Sequence, residues 1–138
     1  MLKKILLILL GLGLIGAFIA YKMYNKPHAD VAATPMMKDV TSEELITAFK
    51  ENETEANKKY LDRTIGVTGK IISVKTENNK TIIQLDTNDP MATILCNLDP
   101  LRDDHRTDFR EGEMVHMKGI CSGYLSDVIL DRCVEIKN

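Results

Sequence analysis

Tryptophan is missing from this 138-residue chain, and other large rings are few: four tyrosines and three phenylalanines. Surfaces that grip single-stranded nucleic acid stack its bases on such rings, so an extended stacking platform is excluded. Only three cysteines are present, too few for a disulfide scaffold. No Cys-x-x-Cys pair or nearby histidine completes the four-ligand set of a structural zinc. No metal and no cofactor are therefore expected. A positive charge excess is lacking too, since 18 basic residues face 20 acidic ones. Removing residues 1–26 takes away four lysines and no acid, and leaves 14 basic against 20 acidic groups, a charge of -6. Bulk charge will not hold nucleic acid to such a domain, because non-specific affinity comes largely from neutralising phosphates. No phosphate loop, metalloprotease motif or nucleophile elbow occurs. The chain does not read as an enzyme.

What is present begins with an apolar run. Residues 5–21 carry no charge, and as a helix would span roughly 25 Å, slightly short of a ~30 Å hydrocarbon core. Lys4 and Lys22 can snorkel, and Tyr21 and Tyr24 suit the interface. The rival reading is a cleaved signal peptide. Cleavage after Ala20 would put Phe18 at the -3 position, which is poor, so residues 1–23 read first as a retained anchor. No cysteine near the end of the run offers lipid attachment. A single anchor with a short basic head leaves the head inside. That orientation gives a single-pass protein of the cytoplasmic membrane with its C-terminal domain on the periplasmic side. Gly11 to Gly16 matches G-x-G-x-x-G, but no strand precedes it, as a dinucleotide site requires.

Residues 24–40, with Pro27 and Pro35, read as a flexible linker. Residues 41–138 read as one folded domain. Thr41 and Glu44 form a capping box for a helix reaching Tyr60, with Leu45, Phe49, Asn52, Ala56 and Tyr60 on one side. Asn52 is expected to bond nearby backbone. The period then changes to two. Strands are expected at Arg63–Thr76, Thr81–Asp86, Met91–Leu98, Glu113–Cys121 and Val128–Ile136. Gly69 marks an expected bulge, where the inward face shifts to Ile72 and Val74. Asp99-Pro100 opens a short expected helix between strands three and four. The fold class is thus mainly β: a five-stranded Greek-key barrel of OB-fold layout, with a preceding helix and an N-terminal transmembrane helix.

The run Asn52-Glu53-x-x-Ala56-x-Lys58-Lys59-Tyr60, then Val67-Thr68-Gly69-Lys70-Ile71 and Leu95-Cys96-Asn97-Leu98, resembles the tRNA-anti-like OB-fold family. The C-terminal run is more specific: Gly112-x-x-Val115-x-Met117-Lys118-Gly119-x-Cys121-x-Gly123-Tyr124-Leu125-x-Asp127-Val128. The resemblance covers residues 42–137, and the family includes bacterial lipoproteins and membrane-anchored proteins. It implies a fold more than an activity, and brings no catalytic residues.

Candidate ligand-binding residues are Tyr124 and Leu125, in a loop that OB-folds often use, with Lys70, Lys80 and Lys118 on or near strands. Cys121 and Cys133, on adjacent strands, are a candidate disulfide pair. Simple alternation points Cys133 outward, and a bulge near Asp131-Arg132 would turn it in; buried free thiols are the other reading. Asp103-Asp104-His105 reads as a solvated helix face. The expected function is a membrane-tethered, non-enzymatic binding module for a protein or small envelope ligand. The alternative is a single-stranded nucleic-acid binder, which the charge disfavours.

Overall fold

A computed structural model describes residues 1–24, 30–103 and 106–137. Pro27 and His28 of the expected linker, and Asp104 and His105 of the expected acidic face, lie outside these residues. Helix α1 (Leu2–Tyr24) is the apolar leader. It is long and apolar enough to cross a membrane, and among its described residues none of the apolar stretch is buried against the remaining chain.

The domain opens with a short strand, β1 (Lys38–Thr41), followed by α2 (Ser42–Glu51) and α3 (Glu53–Tyr60). The capping box of Thr41 and Glu44 forms as the sequence predicts. One helix was expected as far as Tyr60, but two are found. The break is at Asn52, whose side chain accepts a hydrogen bond from the Glu55 N–H and so caps α3. A side chain that competes for backbone donors starts a new helix more readily than it continues an old one.

Five longer strands follow: β2 (Thr64–Glu77), β3 (Lys80–Leu85), β4 (Ile94–Leu98), β5 (Met114–Tyr124) and β6 (Val128–Glu135). The first half of β2 pairs antiparallel with β5, and its second half with β3. β4 runs antiparallel to β3 and parallel to β6, which returns antiparallel to β5. The ring closes on β2 and makes a five-stranded barrel of OB-like topology. β1 joins as a sixth strand, parallel to Ile65–Thr68, and α2 and α3 supply the crossover that parallel pairing needs.

Ile65, Val67, Ile71, Ile83, Leu85, Ile94, Met117 and Leu130 fill the barrel with no measurable exposure. Leu45, Ile46 and Phe49 bring α2 into the same core. The Phe49 ring meets Tyr60 at 6.0 Å and Tyr124 at 5.4 Å between centroids.

Three local expectations are corrected. The irregularity in β2 falls between Ile71 and Ser73, beyond Gly69. Ile71 therefore stays in phase with Ile65 and Val67, and Ile72 is the residue turned outward. Described residues 99–103 and 106–113 contain a turn and extended chain in place of a short helix. Here Asp99 accepts a hydrogen bond from Leu101 N–H in a local turn, the competing conformation that Asp before Pro favours. Finally, the second half of the expected linker is built into the barrel wall. Val31 is 1% exposed, Met37 N–H bonds to Thr64 O, and β1 follows.

Candidate functional site

The outer face of β3 and β4 carries a groove. Two hollows of about 480 and 300 Å³ share Thr81, Leu98 and Pro100, and so adjoin. Ile82, Leu98 and Pro100 make an apolar floor. One wall is the β2–β3 hairpin, whose turn residues Asn78 and Asn79 both have positive φ, 49° and 65°. Two such residues in a two-residue turn match the twist of the flanking strands. The other wall is the segment after β4, and the far edge is Asp131-Arg132 of β6.

The polar edge is fixed from behind. Asp131 accepts a hydrogen bond of 2.7 Å from the Asn97 amide and another from the Ser122 hydroxyl. Arg132 has φ of 52°. That left-handed residue inserts an irregularity between β6 and its neighbours, which lifts the Asp131-Arg132 edge over the floor. The wall after β4 is tied down by Arg106. Its guanidinium donates to Glu113 at 2.7 Å, lies 3.5 Å from Glu135, and covers the Phe109 ring at 4.3 Å. The Arg106 hydrogen bond holds the Glu113 carboxyl below the usual carboxylate range.

The groove gathers Lys80, Arg102, Arg106 and Arg132 against Asp99, Asp103 and Asp131. Its charge is therefore mixed. No described residue of its lining is aromatic.

Of the candidate residues read from the sequence, Lys80 alone lies in this groove. Lys70 lines a separate hollow of about 380 Å³ beside Ser42 and Asp86. Lys118 is 8% exposed, and its ammonium donates to the Ala32 carbonyl at 3.0 Å. Tyr124 packs its ring on Phe49, while Leu125 is exposed. Tyr124 pairs with Val128, which pairs with Ile94, so the β5–β6 loop meets the start of β4. The β2–β3 hairpin lies toward the end of β4, because Ile82 pairs with Asn97. The two loops therefore stand at opposite ends of that strand. Ile82, Asn97, Pro100 and Asp131 were missed by sequence reasoning. Outward positions of β3 and a polar bulge in β6 were the signals that could have found them.

Cys96, Cys121 and Cys133 are buried and free. The candidate partners Cys121 and Cys133 are not register partners, since Cys121 stands opposite Leu130 on β6. The Arg132 irregularity does turn Cys133 inward. Its Sγ lies 3.4 Å from the Leu130 carbonyl, and Leu130 is the register partner of Cys96. Burial pushes the Cys121 thiol up to about 11 and the Cys133 thiol well above its ordinary value. Among the described residues no group of three or more His, Cys, Asp or Glu is placed to hold a metal.

The model of the tRNA_anti-like family matches residues 1–135. The chain belongs to the tRNA_anti-like family. No curated protein matches it. Among solved structures, it is similar to a lipoprotein from Klebsiella pneumoniae subsp. pneumoniae to which nucleic-acid binding is ascribed. Identity is 16% and the TM-score 0.59, over 81% of this chain and 100% of that one. It is also similar to a chain of the yeast Stn1 and Ten1 structure, at 14% identity and TM-score 0.48, over 81% of this chain and 68% of that one. The Klebsiella likeness supports the fold. The groove described above lies on the face where OB-folds bind their ligands.

Proposed function

We propose that this tRNA_anti-like protein is a non-enzymatic binding module, tethered by α1 to the cytoplasmic membrane with its barrel on the outer side. The barrel holds a protein segment or small envelope ligand in the groove over β3 and β4. The observation that carries this reading is the groove's make-up: an apolar floor of Ile82, Leu98 and Pro100 beside hydrogen-bonded Asn97 and Asp131. Binding sites combine apolar lining with a few fixed polar groups in this way. The non-enzymatic part is supported by the thiols, since all three are buried and two are hard to ionise.

Nucleic-acid binding is the second reading, favoured by Lys80, Arg102 and Arg132 along one groove. Against it stand a lining without rings and the domain charge of -6. Titration of the full chain in nanodiscs with single-stranded DNA and RNA, at 50 and 200 mM salt, separates the two. The first reading predicts no saturable binding at micromolar concentrations. Micromolar binding with a steep salt slope would install the second.

A further inference from the structure

We infer that the barrel rests against the bilayer that holds α1 through the turn after β4, with Leu101 and Arg102 in the headgroup layer. This rests on the reading of α1 as a retained anchor. The starting observation is how early the chain becomes part of the barrel. From Asp30 onward it is fastened: Asp30 pairs with Arg102 at 3.3 Å, Val31 is buried, and the Ala32 carbonyl takes the Lys118 ammonium. Only six peptide links separate Tyr24, the last residue of α1, from Asp30. Whatever their path, they reach at most about 22 Å, since an extended chain covers no more than ~3.6 Å per residue. A domain of this size has a radius of gyration of about 13 Å, which for a compact sphere means a diameter of roughly 34 Å. The tether is therefore shorter than the barrel is wide, and the side bearing Asp30 is the side held toward the membrane.

That side presents an apolar residue. Leu101 is 62% exposed and adjoins Arg102, the partner of Asp30. The turn that presents it is held by Asp99, whose carboxylate accepts the Leu101 N–H at 3.1 Å and is itself only 7% exposed. A leucine beside a guanidinium combines an apolar group with a cation, the two kinds of group that interfacial segments carry. The contact need not be strong, because the tether makes it intramolecular and supplies a high effective concentration. The consequence is functional. Pro100, Arg102 and Asp103 also line the groove, so one mouth of the groove opens at the bilayer surface. Leu125, the other strongly exposed leucine of the barrel, sits at the far end of β4, away from the Asp30 side.

The absence of tryptophan makes the test direct. Leu101→Trp and Leu125→Trp each introduce the sole indole into the full chain, which is reconstituted into phosphatidylcholine–phosphatidylglycerol vesicles with or without brominated acyl chains. The expected result is at least twofold quenching of L101W by brominated lipid and none of L125W, with both proteins floating with the vesicles. Floating protein with L101W unquenched, or both variants quenched alike, overturns the inference and leaves the anchor standing. Protein that fails to float overturns the anchor reading and this inference with it.

Discussion

The ammonium of Lys118 on β5 donates a hydrogen bond of 3.0 Å to the carbonyl of Ala32. A lysine that from the sequence resembles a ligand cation is instead a fastener for the chain entering the barrel. Lys118→Met keeps the aliphatic stem and removes the donor, which leaves the Ala32 carbonyl short of its partner. A loss of about 1–3 kcal/mol is expected. Hydrogen exchange should speed up first at Lys38–Thr41, where the entering strand pairs with β2. Unchanged exchange there would show that Lys118 does not hold the strap.

Gly119 and Cys133 test the barrel seam. A Cβ on Gly119 would lie 2.5 Å from Cys133 Sγ, whereas on Gly66 it would meet the side-chain tips of Met36, Asp39 and His116. Gly119→Ala is expected to cost about 1–3 kcal/mol by overpacking. Gly66→Ala should cost less, because those tips can move, and should loosen the strap in preference to the barrel. Cys133→Ala in the Gly119→Ala background should recover part of the loss, with the Leu130 Cβ and Asp131 carbonyl, each at 3.2 Å, still tight. Urea unfolding of the four proteins of the double-mutant cycle measures the coupling.

The barrel was legible in the sequence because most strands alternate. Ile83 and Leu85, or Val115 and Met117, cannot switch faces without exposing a whole apolar set. What was missed depends on single residues that break a period. Asn52 splits a helix by capping its second half, and Arg132 adds a left-handed step to β6. Asp99 turns an expected helix start into a local turn. Each is a local hydrogen bond or a single backbone dihedral, which the hydrophobic period does not carry. The groove was illegible for the same reason. It draws on the β2–β3 hairpin, β3, β4, the segment after β4 and β6, which only the folded chain brings together.

Acid should act through two carboxylates. Asp89 is held below its ordinary value first by the hydrogen bond from Lys50, and Glu113 by that from Arg106. A carboxylate with a depressed folded-state pKa contributes stability above its unfolded value, about 4, and loses it as pH falls through the folded value. Melting temperature should therefore be flat from pH 8 to 5 and fall below about pH 4. Asp89→Asn with Glu113→Gln should melt lower at neutral pH and shallow the acid decline. An identical acid profile in the double variant would remove these two groups from the account.

The thiols should be silent in the folded protein. With Cys121 pushed up to about 11 and Cys133 well above its ordinary value, both by burial, little thiolate exists at pH 7 and little of it is accessible. Maleimide should label no cysteine of reduced native protein within minutes, and all three after denaturation. Rapid native labelling of Cys121 would mean that the β5–β6 edge opens readily.

The groove itself is tested most directly by a photoreactive residue placed in the full chain in its own membranes, at Ile82 on the groove floor or at Met114 outside it. The account predicts a discrete adduct from position 82, none from position 114, and loss of the adduct when Thr81→Trp fills the groove. Equal adducts from both positions, or an adduct at 82 that survives Thr81→Trp, would contradict it.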